Sequence, residues 1–262
     1  MRAYDALKRR LAQGWNTWNT RSVLSHVLLP EGFALNLGLK DRASRRYLKE
    51  SLIGRRGDRD ERIHPGLRTY DGAYTELKLL WLGIEVLVQS ATTGEAQEDL
   101  VLLVTLQSQH RRAPLLVVEP GVLWNRPGYV TRQGDSLLGR FDGRTVAVYG
   151  THSIVTDPYI AAQTPYLAMP LEGPVGVSTG RRRTIAEIQA LLAERRAERA
   201  AYAASFGELA DVYAAVQTCM AWDTIFEPEG DRVVSPVSRI WNVGWGGFVL
   251  FDWDTYFAAY LA

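Results

Sequence analysis

Residues 74–107 read YTELKLLWLGIEVLVQSATTGEAQEDLVLLVTLQ, and the fold follows from how this stretch is read. Ile84, Val86 and Val88 alternate with polar or smaller neighbours, the period of two that marks a half-buried strand, not the 3.6-residue period of a helix. Residues 74–90 are therefore expected as one long strand, 91–98 as a polar connection and 99–107 as the returning partner, together a long hairpin.

The same period runs outward in both directions, from about residue 21 to about residue 177. Residues 23–29 and 33–39 flank a Pro30-Glu31-Gly32 turn, and further strands are expected at 114–119, 136–141, 145–149 and 168–172, punctuated by Gly, Pro or Asp-Gly. So many strands with so few helix signals imply an antiparallel β-sandwich domain over residues 1–180. Residues 41–68 hold eight arginines and one lysine among five acids without sustained apolar periodicity, and read as a long solvated connection.

At Gly180 the texture changes. Thr184-Ile185-Ala186-Glu187 has the capping-box spacing and opens an Ala-, Leu-, Glu- and Arg-rich run to about residue 204, a helical linker over 181–204. Ser205-Phe206-Gly207-Glu208 repeats the box before Leu209, Val212, Tyr213, Val216 and Met220, which share one helical face. At the end, Trp253, Tyr256, Phe257, Tyr260 and Leu261 define another apolar helical face, with no stop signal after it. Such a stripe needs a partner, so the chain is expected to be the N-terminal part of a longer protein.

Composition narrows the function. Thirty basic residues against 29 acidic ones leave a net charge of +1, so no overall field draws in nucleic acid or an anionic membrane. Cys219 is the single cysteine, which excludes an internal disulfide framework and Cys-rich zinc patterns and fits a reducing, cytoplasmic setting. No 18-residue apolar run and no signal-peptide pattern occur, so a soluble protein is expected. His26, His64, His110 and His152 lack metal-ligand spacing, and phosphate-loop, dinucleotide and nucleophile-elbow motifs are absent, so neither metal nor organic cofactor is expected.

What remains is a dense block near the end. Trp222-Asp223-Thr224-Ile225-Phe226-Glu227-Pro228 is followed by Ser238-Arg239-Ile240-Trp241-Asn242, by Gly244-Trp245-Gly246-Gly247, and by Trp253-Asp254-Thr255-Tyr256-Phe257. Sugars present apolar C–H faces edged by hydroxyls, and this block supplies both rings for the faces and carboxylates, Asn and Arg for the edges. A structural reading of the same residues makes the tryptophans core filling and the carboxylates helix caps, with Asp252 placed for an N-cap. Trp253-Asp254, in the first turn of a helix after a Gly-rich loop, is placed to aim both side chains into a pocket.

Trp253-Asp254-Thr255-Tyr256-Phe257 resembles the signature of inverting glycoside hydrolases with an (α/α)6 barrel, the trehalase and processing-glucosidase relatives. Residues 222–228 and 238–254 are most similar to glycoside hydrolase family 63, which includes bacterial α-glucosidases and mannosylglycerate or glucosylglycerate hydrolases. The motif match covers residues 220–262, and a β-sandwich before the barrel is similar to the larger members. Between Gly247 and Trp253 the Arg and Glu of the trehalase version are missing, so the resemblance implies no trehalose specificity.

The resemblance implies that residues 205–262 begin an (α/α)6 barrel whose C-terminal part, with the general acid and base, lies beyond residue 262. It implies that Trp253 and Asp254 grip the non-reducing sugar, and Arg239, Trp241 and Trp245 are expected to line that pocket. The expected partner is a small-molecule or oligosaccharide α-glucoside or α-mannoside, along with the missing barrel of the chain itself. The alternative is a non-catalytic carbohydrate-binding β-sandwich. A third reading sets Asp254 as acid against Glu227 or Asp223 within this chain.

Overall fold

A computed structural model describes residues 2–19, 22–51, 61–107, 113–235 and 252–261. The chain opens with α1 (Arg2–Leu11), then β1 (Gly14–Asn19), β2 (Ser22–Leu29), β3 (Phe33–Lys40), β4 (Tyr47–Leu48) and β5 (Glu61–Arg68). It continues through β6 (Tyr74–Trp81), β7 (Ile84–Thr93), β8 (Asp99–Leu106), β9 (Leu115–Val122) and β10 (Tyr129–Gln133). β11 (Ser136–Phe141), β12 (Arg144–Gly150), β13 (Leu167–Pro170) and β14 (Val175–Thr179) follow. The last described elements are α2 (Ile185–Ala204), α3 (Ala210–Asp223), the short pair β15 (Ile225–Glu227) and β16 (Arg232–Val234), and α4 (Asp252–Leu261).

The strands form two large antiparallel sheets. The first runs β1-β2-β3-β9-β13 with β4 also on β3, and the second runs β10-β11-β12-β14-β8-β7-β6-β5. One core fills the space between them: Trp15, Leu28, Phe33, Leu35, Leu37 and Val118 of the first sheet meet Leu79, Val86, Leu102, Val104, Val148 and Val177 of the second. Successive strand residues point to opposite faces, so Phe33, Leu35 and Leu37 enter this core while Ala34 and Asn36 face outward. Trp15 closes one end, its backbone N–H donating to the Gln97 carbonyl at 3.0 Å and its indole N–H to that of Glu98 at 2.9 Å.

The outer faces are covered unequally. α2 lies on the second sheet, where Ile188 and Leu192 pack with Tyr74, Ala91, Val101 and Leu103. Thr184 caps it in the expected box, accepting from the Glu187 backbone N–H at 3.2 Å while the Glu187 carboxylate accepts from the Thr184 N–H at 2.7 Å. On the first sheet, Ile160 and Tyr166 shield Leu115, Val117 and Ala168, but the stretch across β2, β3 and β9 is left open by the described residues.

Several expectations need correction. The fold class is that of a β-rich domain: sixteen strands stand against four α-helices among the described residues, and these helices do not form the start of an (α/α)6 barrel. α2 packs on a sheet, α3 packs on β5 and on α2, and α4 meets α3, so no ring of paired helices is built. The stretch 74–90 is two strands, reversed at Leu82 and Gly83, which take φ of 51° and 77°. Such a two-residue reversal with both φ positive matches the twist of the flanking strands. Residues 41–68 are not simply a solvated connection, because Glu61–Arg68 pairs with β6 and Asp41, Ser51 and Arg68 are buried. The second box does not form: Ser205 ends α2, donating its hydroxyl to the Tyr202 carbonyl at 2.6 Å, and a 3-10 turn at Gly207–Leu209 leads into α3.

Candidate functional site

The open part of the first sheet is a cleft of about 490 Å³. Its floor follows from strand register: Ser25 of β2 pairs with Asn36 of β3, and Asn36 pairs with Glu119 of β9. Partners across antiparallel strands share a face, so these three polar side chains stand in one row, with strands about 4.8 Å apart. The next row is small, Ala34 paired with Gly121, and a side chain at Gly121 would meet open space. Small residues beside a polar row give the cleft its depth.

Glu119 is the centre of the row and only 5% exposed. Its Oε1 accepts from Lys49 Nζ at 3.0 Å and from the Gln163 backbone N–H at 2.9 Å, and its Oε2 accepts from the Tyr47 hydroxyl at 3.3 Å. Burial, with the Glu119 charge and hydrogen bond added, pushes the Tyr47 phenol far above its usual value, so it remains a neutral donor. A carboxylate offers about four acceptor sites, and these bonds occupy three. Asn36 donates Nδ2–H to the Lys49 carbonyl at 2.6 Å, while its Oδ1 and the Ser25 hydroxyl are buried without a hydrogen-bond partner. Buried polar atoms normally find partners, so two orphans in the floor of one cleft mark it.

An indole edges the cleft. Trp124, 44% exposed, follows β9 and packs over Gly32 in the β2–β3 turn, where an added Cβ would sit 3.1 Å from the ring. The cleft lining thus includes a flat apolar ring, a carboxylate, an ammonium and an amide, groups able to meet both the apolar faces and the polar edges of a ligand.

The residues expected from the sequence lie elsewhere. Trp253 and Asp254 are in the first turn of α4, both exposed, Trp253 by 69%, with its ring 6.5 Å from that of Phe257. Tyr256, Phe257 and Tyr260 are exposed on the same helix. The described residues do not enclose Trp253 and Asp254 in a pocket, and Arg239, Trp241 and Trp245 lie outside the described residues. Trp222 is core: its indole N–H donates to the Gly66 carbonyl at 2.7 Å and Arg68 stacks 5.5 Å from its ring. Glu227 staples the β15–β16 turn, accepting from the N–H groups of Glu229 and Gly230 and from Arg232. Its partial burial raises its pKa, but the bonds from Gly230, Glu229 and Arg232 outweigh this and leave it lowered, the wrong direction for a general acid.

The cleft residues were missed, although each is a polar side chain within a largely apolar strand: Ser25 in SVLSHVLL, Asn36 in FALNLGLK and Glu119 in LLVVEPGV. No protein-family model matches the chain, and no curated protein matches its sequence. Among the described residues no helix is long and apolar enough to cross a membrane.

Proposed function

We propose that this chain recognises carbohydrate, holding one ring of an α-glucoside or α-mannoside in the cleft over β2, β3 and β9. The observation that carries this reading is the in-register row Ser25, Asn36 and Glu119 beside the exposed indole of Trp124. The indole takes an apolar sugar face, while Glu119, Asn36 and Lys49 meet the hydroxyl rim. Its single cysteine, Cys219, supports a reducing, cytoplasmic setting for this reading. Calorimetric titration of the chain with maltotriose and with methyl α-mannoside tests the reading. Trp124→Ala and Glu119→Gln are each expected to weaken binding about tenfold or more, since one removes the platform and the other a charged acceptor. Failure of both sugars to bind, or unchanged affinity in both variants, refutes it.

A second reading is favoured by Trp253 and Asp254 standing exposed together in the first turn of α4. In it the chain is the sugar-gripping part of an inverting glycoside hydrolase acting on α-glucosides or α-mannosides, without metal or organic cofactor. The acid and base, about 6.5 to 9.5 Å apart in such enzymes, are then supplied by protein outside residues 1–262. Asp254→Ala separates the two readings. Loss of maltotriose binding in that variant with Trp124→Ala unaffected assigns recognition to α4, and the reverse pattern assigns it to the cleft.

A further inference from the structure

On the far side of the domain a second pocket, of about 280 Å³, is lined by α1, the turn before β6, the β7–β8 turn and α2. Its groups do not resemble those of the cleft. Arg10 Nη2 pairs with Asp71 Oδ2 at 3.2 Å, and Gln97 Nε2 donates to the same oxygen, also at 3.2 Å. On α2, Arg195 pairs with Glu198 at 2.8 Å. Both carboxylates are thus already neutralised by other arginines.

Arg199 is left over. It is only 8% exposed, and its Nη2 is buried with no hydrogen-bond partner. Among the described residues it forms no ion pair, and its one recorded contact is with the Tyr202 ring, 5.7 Å away. A guanidinium nitrogen taken out of water with neither partner nor counter-charge costs free energy, and buried charges are as a rule paired. Two more orphans line the same pocket, Gln97 Oε1 and the Thr92 hydroxyl, and the Tyr70 hydroxyl, also without a partner among the described residues, feels the charge of Arg199. Burial pushes the Tyr70 phenol up to about 12 against the opposing charge of Arg199, so it stays a neutral hydroxyl. An unpaired cation, an unpaired amide acceptor and an unpaired hydroxyl therefore line one small space.

We propose that this pocket binds a small oxyanion that also carries hydroxyl groups, a carboxylate or a phosphate monoester, with Arg199 as its counter-ion. The anion satisfies Arg199 Nη2, and a ligand hydroxyl donates to Gln97 Oε1, which a bare anion cannot do. At about 30 Å³ for each water's share of liquid, the space admits about nine waters' worth of ligand, the scale of a small organic anion. The proposal is independent of the carbohydrate reading, since it shares no residue with the cleft.

The test is thermal unfolding and calorimetry of the chain at constant ionic strength with four probes: gluconate, glucose 6-phosphate, sulfate and glucose. Gluconate or glucose 6-phosphate is expected to bind and raise the Tm, and which of them binds identifies the acid group. Sulfate is expected to bind more weakly, because it has no hydroxyl to donate to Gln97. In Arg199→Met, which removes a buried unpaired charge and keeps the stem, the ligand-free Tm is expected to hold or rise while affinity falls about tenfold or more. Gln97→Leu is expected to weaken the hydroxylated anion and leave sulfate unchanged. The proposal is overturned if no anion binds, if Arg199→Met binds the anions like the wild type, or if it weakens glucose and the anions alike.

Discussion

Acid should weaken this domain through His26, by an amount the structure sets. His26 lies on β2 beside Ser25 but on the opposite face, paired with Leu35 and turned into the core between the sheets. Burial, with the charge of Arg68 added, holds its imidazole down at about 3, against an ordinary value of about 6.5. Below pH 6.5 the unfolded chain takes up a proton that the folded chain refuses. The stability contribution is thus intact above about pH 6.5 and is lost progressively as the pH falls toward 3. At about 1.36 kcal/mol per pH unit, the step from pH 7 to pH 5 costs about 2 kcal/mol, a sizeable part of the 5 to 15 kcal/mol typical of a domain. Urea unfolding followed by tryptophan fluorescence at pH 7, 6 and 5, on the wild type and on His26→Gln, isolates the effect, because every other titrating group is common to both. The stability difference between the two proteins should shrink by about 2 kcal/mol from pH 7 to pH 5. Parallel losses in the two would show that His26 does not stay neutral in the fold, and would refute the reasoning.

Two structural predictions accompany it. Gly14 has φ of 77°, and an added Cβ would collide with the Ala96 carbonyl and Gln97, so Gly14→Ala should cost at least about 2 kcal/mol, read as a lower urea midpoint. An unchanged midpoint would mean that β1 does not close against the β7–β8 turn. Trp222→Ala should cost about 3 to 5 kcal/mol, because it empties a core position and strips the Gly66 carbonyl of its donor. Trp222→Phe, keeping a ring without the N–H, should recover part of that loss, and equal costs for the two variants would contradict this account.

Much of the strand pattern was legible because one face of each strand is buried. Phe33, Leu35 and Leu37 alternate with Ala34 and Asn36 for the simple reason that a sheet has two sides. The capping box at Thr184 was legible for a similar reason, both of its hydrogen bonds being local. Where the reading failed, long-range packing outweighed the local pattern. Leu82 hides a reversal because an apolar residue there looks like the continuation of a strand, and only Gly83 hints at the turn. Arg62 and Arg68 made β5 look like a loop, yet β5 is an edge strand, and Arg68 is buried because it donates to the Ala221 carbonyl and lies over Trp222.

The stripe on Leu209, Val212 and Tyr213 carried the opposite error. Its period is helical and the helix forms, but those three side chains are exposed, so periodicity located the helix without locating what it packs on. The candidate sites were hidden by a related ambiguity. A lone Ser, Asn or Glu in an apolar strand reads as the polar half of an alternation, and the sequence does not say which outer face is covered. Here α2 covers one sheet and residues near Ile160 cover part of the other, which leaves Ser25, Asn36 and Glu119 lining a cleft. Arg199 is concealed further still: it sits among Arg195, Arg196 and Glu198 in a helix rich in charge, where each looks like a solvated face. Only the pairing of Arg195 with Glu198 and of Arg10 with Asp71 leaves it without a counter-charge, and that pairing depends on contacts between α1, the turn before β6 and α2. Polar residues thus acquire function in this fold by which of their neighbours are already spoken for, a property of packing that no local pattern carries.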